Sequence, residues 1–589
     1  MSLKQLFRDE LAFLYLQGNE FAKRNPNLSR FLSEKSSDPD IERLLEGFAF
    51  LSARLRQKIE DDFPELTHSL INLLWPNYLR PLPSATIIRF TPKNDSITEK
   101  QVIKKNTALQ SHPVDGTQCH FKTCHNVSIY PLVIKSIDDN HSSHTSVIGI
   151  NIETITDQPL NTINCDHLTF FLAGNEYTAQ TLYLWMFNYL DRVDISVEDK
   201  TIGSLSSKNI GRVGFQPGQA LLPYPENVFD GYRVLQEFLN FPQRFYFFDL
   251  IKLQHFWPNE AAEKIRLEFH FKKPFPTDIK IRRNDFELYS TPAVNLFKQD
   301  ADPIRLDGKA VEHILRPSDY KQEHYEIFSI DTVTGRRQST NDKDRIKRTY
   351  TPFESFQHEI EHSHDRKALY FRHRVSESVT KYGFEQFISF IREDETHYRP
   401  DEPEIISIDM TCSNRNLPEA LAIGDICIAT EMTPSFVTFE NITQPTPPLR
   451  PVLDGSLHWR LISNLSLNYL SLLEIEPLRN IIQAYDFKAN EDEQAKRHLQ
   501  QRLAGIEKIT TTPIDHLIKG LPVRGISSKI IINAENFHSE GELYLFASVL
   551  SHFFSLFSSI NSFHILEVVN SANNETYTWP LQKGIQPLI

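Results

Sequence analysis

Glycine is scarce in this chain, and the glycine-dependent motifs of many enzymes are missing. Only 20 of its 589 residues are glycine, roughly half the usual share of about 7%. The sequence contains no G-x-x-x-x-G-K-S/T, no G-x-G-x-x-G and no G-x-S-x-G. Because these patterns form the loops that hold nucleotide phosphates or present a nucleophilic serine, their absence argues against those enzyme classes.

Cysteines and basic residues are also few. The five cysteines are odd in number and too few for a disulfide scaffold of this length, so we expect reduced thiols in the cytosol. The chain has 63 Lys and Arg against 76 Asp and Glu, a formal net charge of −13. That balance argues against nonspecific nucleic-acid binding. Residues 1–10 are charged and lack a long apolar stretch, so no secretory signal is predicted.

Phenylalanine and proline, by contrast, are plentiful. The chain has 41 Phe, 34 Pro and a hydrophobic fraction of 40%, which is ample for packed cores. It is too long for one ordinary domain, so we expect several. Much Phe and Pro with little Gly favours stiff packing surfaces and points toward a structural protein.

The periodicity of the sequence predicts a multidomain α+β protein. Residues 1–80 have apolar residues at helical spacing, and short strands dominate beyond Pro81 and Pro83. Strands are predicted at Ala85–Phe90, Val127–Val133, Val147–Ile152, His167–Leu172 and Ile265–Phe271, and helices at Glu176–Tyr189 and Tyr232–Phe241. We divide the chain into a helical N-terminal region (1–80), two mostly antiparallel β-rich α+β domains (81–255 and 256–444, the second with an exposed polar loop at 335–368), and a Pro-rich strap with a C-terminal helical and α/β region (445–589).

One face of a predicted N-terminal helix is continuously apolar. The helix follows Asp38, a suitable N-cap, and Pro39, which suits the first helical position. Its apolar face carries Leu44, Phe48, Leu51 and Leu55. Such a face either packs into the core of its own chain or binds a helix of a partner. The sequence leaves both interpretations open.

Four prolines follow the second β-rich region. Pro445, Pro447, Pro448 and Pro451 predict a stiff, extended segment. We interpret it as a spacer or as a strap that docks onto a partner.

A segment near the C-terminus has the length of a membrane span. Residues 543–566 contain no Asp, Glu, Lys or Arg. They do contain two histidines and a serine stripe at helical spacing, and their flanks are acidic, without the Lys and Arg that orient a span. The stripe comprises Ser548, Ser551, Ser555, Ser558 and Ser562. We predict a helix buried inside protein whose small serines lie against another helix, and no membrane insertion.

Two clusters resemble metal sites. His358-Glu359-Ile360-Glu361-His362 fits H-E-x-x-H, which places two imidazoles and a general base on one helix face in zinc proteases. It lies in the most polar stretch of the chain and has no convincing third ligand, so a zinc protease is the alternative and not the main hypothesis.

The second cluster combines cysteines and histidines. Cys119-His120, Cys124-His125 and the nearby His112 are too loosely spaced for a structural zinc site. We predict strand residues with buried thiols. No cofactor, metal or catalytic residue is therefore assigned.

Several segments, in order along almost the whole chain, resemble the TssF family (also called ImpG or VasA) of type VI secretion baseplate subunits. The segments are Glu10–Leu14, Glu20–Pro26, Asp38–Phe50, Phe63–Pro64, Trp75–Ser84, Gly231–Phe238, Phe247–Asp249, Asn295–Phe297, Asp302–Asp307, Pro445–Pro451, Leu465–Leu470, Pro522–Gly525, Phe546–Leu550 and Ser559–Phe563. The order of so many segments is far more specific than any single motif.

The resemblance implies a non-enzymatic structural role and a fold akin to the wedge proteins of contractile phage-tail baseplates. It implies that two copies assemble with TssG into a wedge that also holds TssE and contacts TssK. Wedges would surround the VgrG spike and carry the contractile sheath and tube. The implied location is the cytoplasm, docked at the inner membrane through the secretion membrane complex.

Overall fold

The chain folds into two compact units. One comprises Met1–Leu73 with Leu453–Ser463, the other Leu74–Val452 with Asn464–Ile589. The computed structural model describes residues 7, 11, 43–54, 71–72, 75–94, 96–198, 200–224, 232–258, 260–337, 347–353, 369–377, 383–392, 398, 403–451, 474–518 and 520–584. In the first unit the described residues are all helical, and helix α1 spans 43–54.

Strands dominate the second unit. Its described helices are α2 (Glu176–Leu184), α3 (Arg233–Asn240), α4 (Ile475–Tyr485), α5 (Lys488–Glu491), α6 (Glu493–Gly505) and α7 (Glu540–Phe557). The first strands are β1 (Ala85–Pro92), β2 (Gln101–Ile103), β3 (Ala108–Val114), β4 (Thr117–Thr123), β5 (Val127–Ile129), β6 (Leu132–His141), β7 (Ser146–Thr154), β8 (His167–Leu172), β9 (Leu190–Val197), β10 (Lys200–Ser206), β11 (Ile210–Arg212) and β12 (Phe247–Ile251).

Two further groups of strands follow. The middle group is β13 (Lys264–Phe271), β14 (Phe286–Leu288), β15 (Ser290–Val294), β16 (Phe297–Asp300), β17 (Ile304–Leu306), β18 (Glu312–Ile314), β19 (Glu326–Arg337), β20 (Lys347–Pro352), β21 (Leu369–Glu377), β22 (Phe384–Arg392), β23 (Glu404–Ser413) and β24 (Val437–Asn441). The last group is β25 (Ile506–Ile518), β26 (Leu521–Ile532), β27 (Phe563–Asn570), β28 (Thr576–Thr578) and β29 (Gln582–Lys583).

The predicted fold class is confirmed: a multidomain, mostly antiparallel α+β protein. In β13 the alternation read from the sequence is present, because Ile265, Leu267, Phe269 and Phe271 are buried while the residues between them are half-buried. The helix predicted at Glu176–Tyr189 forms as α2 and continues as one π-helical turn, Trp185–Tyr189. The helix predicted at Tyr232–Phe241 forms as α3.

The predicted boundary at 255/256 does not separate the sheets. One five-stranded sheet has the order β24-β1-β15-β4-β3, and another has the order β10-β9-β13-β7-β6. Each joins strands from both sides of residue 255. The four-stranded sheet β11-β12-β8-β14 does the same. The sequence missed this because strand pairing between distant segments leaves no local signal.

The eight-stranded sheet corrects the predicted polar loop. Its order is β16-β23-β19-β20-β21-β22-β18, with β17 on β23. Residues 335–337 end β19, and β20 pairs with β19 from Val333 opposite Tyr350 to Arg336 opposite Lys347. Tyr350 is buried in the core beneath the sheet. This polar stretch therefore forms a strand, although Tyr350 is its only buried residue. Residues 338–346 and 354–368 of the predicted loop lie outside the described residues.

The C-terminal region has the predicted α/β character. Strands β25 and β26 form an antiparallel hairpin, β26 and β27 are parallel, and α7 connects them. Ser539 caps α7, since its Oγ accepts from the backbone N–H of Glu542 at 3.0 Å. The side chains of α7 from Leu543 to Leu550 are all buried, which is the enclosure that the uncharged segment predicted. Among the described residues, no helix is long and apolar enough to cross a membrane.

Helix α3 lies where several distant segments meet. Phe238 contacts Phe546 of α7 with ring centroids 5.8 Å apart. Asn240 donates from Nδ2 to the Tyr485 carbonyl of α4 at 3.0 Å. Tyr232, just before α3, stacks on Tyr485 at 5.0 Å and meets the Trp75 edge at 6.1 Å. The family-like segments at 75–84, 231–238 and 546–550 therefore form one aromatic core.

We predict that Gly541 is required for the packing of α7 on α2. A Cβ at this position would overlap the backbone of Gln180 and Thr181 in α2. Gly541→Ala should therefore lower the free energy of unfolding by at least ~1–3 kcal/mol, the range typical of overpacking. Denaturant unfolding measures the change. Gly218→Ala is the control, because a Cβ there meets nothing within 4 Å. Equal stability of the two variants would refute the close approach.

Candidate interaction surfaces

Helix α1 exposes its apolar face to solvent. Leu44, Phe48 and Leu51 are 72%, 62% and 61% exposed, whereas Ala49 and Ala53 are fully buried. The helix thus packs through its small residues and leaves the large ones uncovered. These three side chains therefore do not pack into the core of their own chain, which was one of the two interpretations of the sequence. Leu55, the fourth predicted member, lies outside the described residues.

The Pro-rich strap pairs with its own chain through backbone hydrogen bonds, and its docking onto a partner stays a prediction. Leu449 and Leu82 exchange two backbone hydrogen bonds, at 2.7 and 2.9 Å, and Thr446 donates its N–H to the carbonyl of Ala85. Pro445, Pro448 and Pro451 are buried, and Pro447 is exposed. An extended, proline-stiffened segment pairs well with an extended neighbour, and here the neighbour is the chain leading into β1.

A buried ion pair fixes the end of the strap. Arg450 donates from Nε and Nη2 to both carboxylate oxygens of Glu326, at 2.8 and 3.0 Å. Both side chains are nearly inaccessible to solvent. Arg450 also donates to Oδ1 of Asn416 at 3.0 Å. Such a bidentate pair selects arginine over lysine because the planar guanidinium matches the carboxylate.

Two serines of the α7 stripe contact side chains that follow the helix, and packing of the stripe against another helix stays a prediction. Trp579 donates from Nε1 to Oγ of Ser548 at 3.0 Å. Gln582 donates from Nε2 to Oγ of Ser551 at 3.2 Å. Ser555 and Ser558 are buried and donate to carbonyls of their own helix. Small side chains allow close approach by any backbone, so a stripe cannot distinguish a helix from a returning strand.

Three buried charged side chains hold α3 in place, and sequence reasoning missed them. The carboxylate of Glu237 pairs with Arg244 and, at 3.2 Å, with Arg233 one turn earlier on the same helix. It also accepts the backbone N–H of Leu221 at 2.9 Å. All three side chains are at most 2% exposed. The sequence signal that could have revealed them is the pair Arg233 and Glu237, four residues apart among apolar residues of the family-like segment 231–238.

The same guanidinium groups bind the loop at 214–219. Arg233 donates to the carbonyl of Phe215 at 2.9 Å, and Arg244 donates to the carbonyls of Gly214 and Gln219 at 2.8 and 2.6 Å. Gly214 has φ +102°, a conformation that favours glycine. The ion cluster therefore joins α3 to this loop, which also contains the short 3-10 turn Pro217–Gln219.

The Cys–His cluster consists of buried thiols, as predicted. Cys119 and Cys124 are buried, and burial raises the pKa of each to about 11. His112 instead contacts the exposed Cys427, with Nε2 and Sγ 3.4 Å apart. In the part of the chain that is described, no three His, Cys, Asp or Glu side chains converge as metal ligands. His358–His362 lie outside that part.

The β25–β26 hairpin ends in an apolar tip. The strands pair along their whole length, from Ile506 opposite Ile532 to Ile518 opposite Leu521. Leu517 and Leu521 are 70% and 69% exposed. In the register, Leu521 lies opposite Ile518, which is the neighbour of Leu517. Leu517 and Leu521 therefore lie on opposite faces of the hairpin, and the described chain covers neither face of its tip.

These features define a class: a β-rich, multidomain protein with exposed apolar surfaces on α1 and at the tip of the β25–β26 hairpin. The family model described as "Type VI secretion system, TssF" matches residues 1–586. The chain belongs to this family, which confirms the resemblance seen in the sequence. A relative is the type VI secretion system component TssF1 of Pseudomonas aeruginosa, 26% identical over 635 aligned residues that cover 99% of each protein.

Two solved structures resemble the chain along most of its length. A chain of the type VI secretion TssK-TssF-TssG baseplate subcomplex, determined by cryo-electron microscopy, has a TM-score of 0.76 and 27% identity. The match covers 92% of this chain and 98% of that one. A chain of the type VI secretion baseplate complex has a TM-score of 0.63, 23% identity and complete coverage of both chains. The second likeness shows the fold.

We predict that the Glu237 cluster is a major source of stability. Glu237→Gln leaves two buried guanidinium groups without their carboxylate, which should lower the free energy of unfolding by about 3–5 kcal/mol. Glu268→Gln is the control: its partner Arg266 is partly exposed, and such a pair contributes about 0–1 kcal/mol. Thermal and denaturant unfolding measure both. Similar losses for the two variants would contradict a special role for the cluster.

Proposed function

We propose that this chain is a non-enzymatic structural subunit of the type VI secretion baseplate wedge and assembles with TssG and TssK. The observation that carries the proposal is the family match over residues 1–586. It is supported by the 27% identical chain that was solved within a TssK-TssF-TssG subcomplex, at a TM-score of 0.76.

The resemblance supports further elements of the role. The wedge would also hold TssE and a second copy of this chain, and it would close around the VgrG spike as the platform for sheath and tube. The proposed location is the cytoplasmic side of the inner membrane, reached through TssK. The zinc-protease alternative, based on His358 and His362, gains no support from the described residues.

We assign the exposed face of α1 to a partner helix. Three large apolar side chains stand in solvent on one side of a helix that is anchored by alanines on the other. Burying one side chain of this size contributes about 1.5–3 kcal/mol of favourable free energy. A TssG helix that covers Leu44, Phe48 and Leu51 would therefore be bound with a substantial gain in free energy. The assignment follows from the exposed face together with the proposed wedge.

Co-expression tests the assembly. We expect this chain to co-purify with the TssG- and TssK-type proteins encoded by the same genome as one complex of defined mass. Native mass spectrometry or light scattering would give the copy number of each subunit. A stable lone monomer in the presence of both candidates would contradict the proposal.

The α1 face can be tested within that complex. Phe48→Asp should reduce recovery of the TssG-type partner by at least about tenfold, because a charge replaces an apolar contact. Glu46→Lys changes charge on another side of the same helix and should leave recovery unchanged. Circular dichroism checks that both variants remain folded. Undiminished recovery with folded Phe48→Asp would rule out this face.

A further inference from the structure

Three cations form a row across the exposed face of the eight-stranded sheet. Arg305 of β17 lies opposite Ile405 of β23. Arg336 of β19 lies opposite both Ile405 and Lys347 of β20. Because directly opposite residues of neighbouring strands point to the same side, these four side chains share one face of the sheet. All four are exposed to solvent. We call Arg305, Arg336 and Lys347 the cationic row.

No acid of the described chain pairs with the cationic row. Its three side chains form neither an ion pair nor a hydrogen bond with the described residues. Asp307, two residues beyond Arg305, is bound by Lys309 instead. Its Oδ1 accepts the backbone N–H of Lys309 at 3.1 Å, and its Oδ2 lies 3.7 Å from Nζ of the same lysine. That N–H lowers the pKa of Asp307 most, and the charges of Lys309 and Arg305 contribute less.

The cross-strand arrangement of the cationic row is unfavourable in the free chain. Like charges directly opposite on adjacent strands destabilise a sheet, and Arg336 faces Lys347 in this way. Lys264 of β13, by contrast, faces Glu153 of β7, and its Nζ lies 2.9 Å from Oε1 of that acid. An anion supplied by another molecule would relieve the repulsion between Arg336 and Lys347.

The charge of the exposed face changes sign along the strands. The row next to the cationic row is uncharged and comprises Ser407, Thr334 and Thr349. In the row after that, Asp409 lies opposite Asp300 and Thr332. At about 3.3 Å per residue, these acids are roughly 13 Å from the cationic row. A ligand that lay along the strands would meet both signs of charge, whereas one that lies across them meets the cations alone.

The spacing of the cationic row fits a helix that lies across the strands. Neighbouring strands are about 4.8 Å apart, so Arg336 is about 10 Å from Arg305, and Lys347 is about 5 Å further on. A helix rises about 1.5 Å per residue, so its positions i, i+3, i+7 and i+11 share one face at about 0, 5, 10 and 16 Å. Acids at i, i+7 and i+11 therefore meet the three cations, and an apolar residue at i+3 covers Ile405.

The net charge of the chain favours such a helix over a polyanion. The formal net charge of −13 opposes the approach of nucleic acids and anionic membranes, which need a broad basic surface. The cationic row has three cations, and the exposed Ile405 adds an apolar contact among them. A helix with a few acids and one apolar residue on the same face is complementary to both features.

We propose that the cationic row is a docking surface for an acidic, amphipathic helix of another polypeptide. Three carboxylates of this helix pair with Arg305, Arg336 and Lys347, and one apolar side chain packs on Ile405. The docking surface is additional to the face of α1 and does not depend on the baseplate role.

Binding of two matched peptides to the purified full chain tests the docking surface. The probe is a fluorescein-labelled, alanine-based helical peptide with glutamate at its first, eighth and twelfth positions and leucine at its fourth. The control peptide carries glutamine in place of each glutamate. Fluorescence anisotropy should show saturable binding of the glutamate peptide, weakened by added salt because salt screens exposed charges. The glutamine peptide should bind at least about tenfold more weakly.

Variants locate the contact. Arg336→Glu should weaken binding of the glutamate peptide by at least about tenfold, because it turns the central attraction into repulsion. Its melting temperature should not fall, since the new carboxylate faces Lys347 directly. Arg305→Gln is a second variant that should also weaken binding. Lys508→Glu reverses an exposed lysine in a different sheet and should bind like the unmodified chain.

Four results would overturn the docking surface. One is the absence of saturable binding by the glutamate peptide. Another is undiminished binding in both Arg336→Glu and Arg305→Gln. A third is an oligodeoxythymidylate that binds more tightly than the glutamate peptide and loses its binding in Arg336→Glu, which would assign the cationic row to nucleic acid. The fourth is self-association, measured by light scattering and abolished in Arg336→Glu, which would assign the cationic row to a second copy of this chain.

Discussion

The carboxylate of Glu237 is the constraint on which much of the larger unit depends. It neutralises two buried guanidinium groups, and these in turn satisfy carbonyls of the loop at 214–219. Arginine in such a place must be paired, because an isolated buried charge is far more costly than any single packing defect. With the cluster closed, α3 is held at a fixed position.

From that position α3 organises the aromatic core. Its rings meet Phe546 of α7, Tyr485 of α4 and Trp75 at the start of the unit. The strap at 445–451 is fixed within the same unit through Arg450 and Glu326. Both anchors use bidentate or multiple hydrogen bonds between charged groups, so they specify geometry as well as adding stability. Rigidity of this kind suits a scaffold subunit.

Local patterns predicted individual elements well where one face of the element is buried. The alternation at 265–271 correctly identified a half-buried strand. The uncharged run at 543–566 correctly identified an enclosed helix only as far as Phe557, since residues 563–566 belong to β27. Prediction failed where the pattern was ambiguous or long-range. The strand Lys347–Pro352 was taken for loop because its only buried residue is Tyr350, and the sheet partners of β1, β13 and β12 lie far away along the chain.

The sequence by itself determined the family, the α+β class and the position of the apolar face of α1, since ordered motifs and hydrophobic periodicity are properties of the chain alone. Only the tertiary structure decided which apolar faces are covered. It turned the Pro-rich strap inward, set the serine stripe against Trp579 and Gln582, and left the Leu44–Phe48–Leu51 face open. The physical reason is that burial depends on which distant segments come together. Strand pairing and buried ion pairs determine those contacts only when the whole chain has folded.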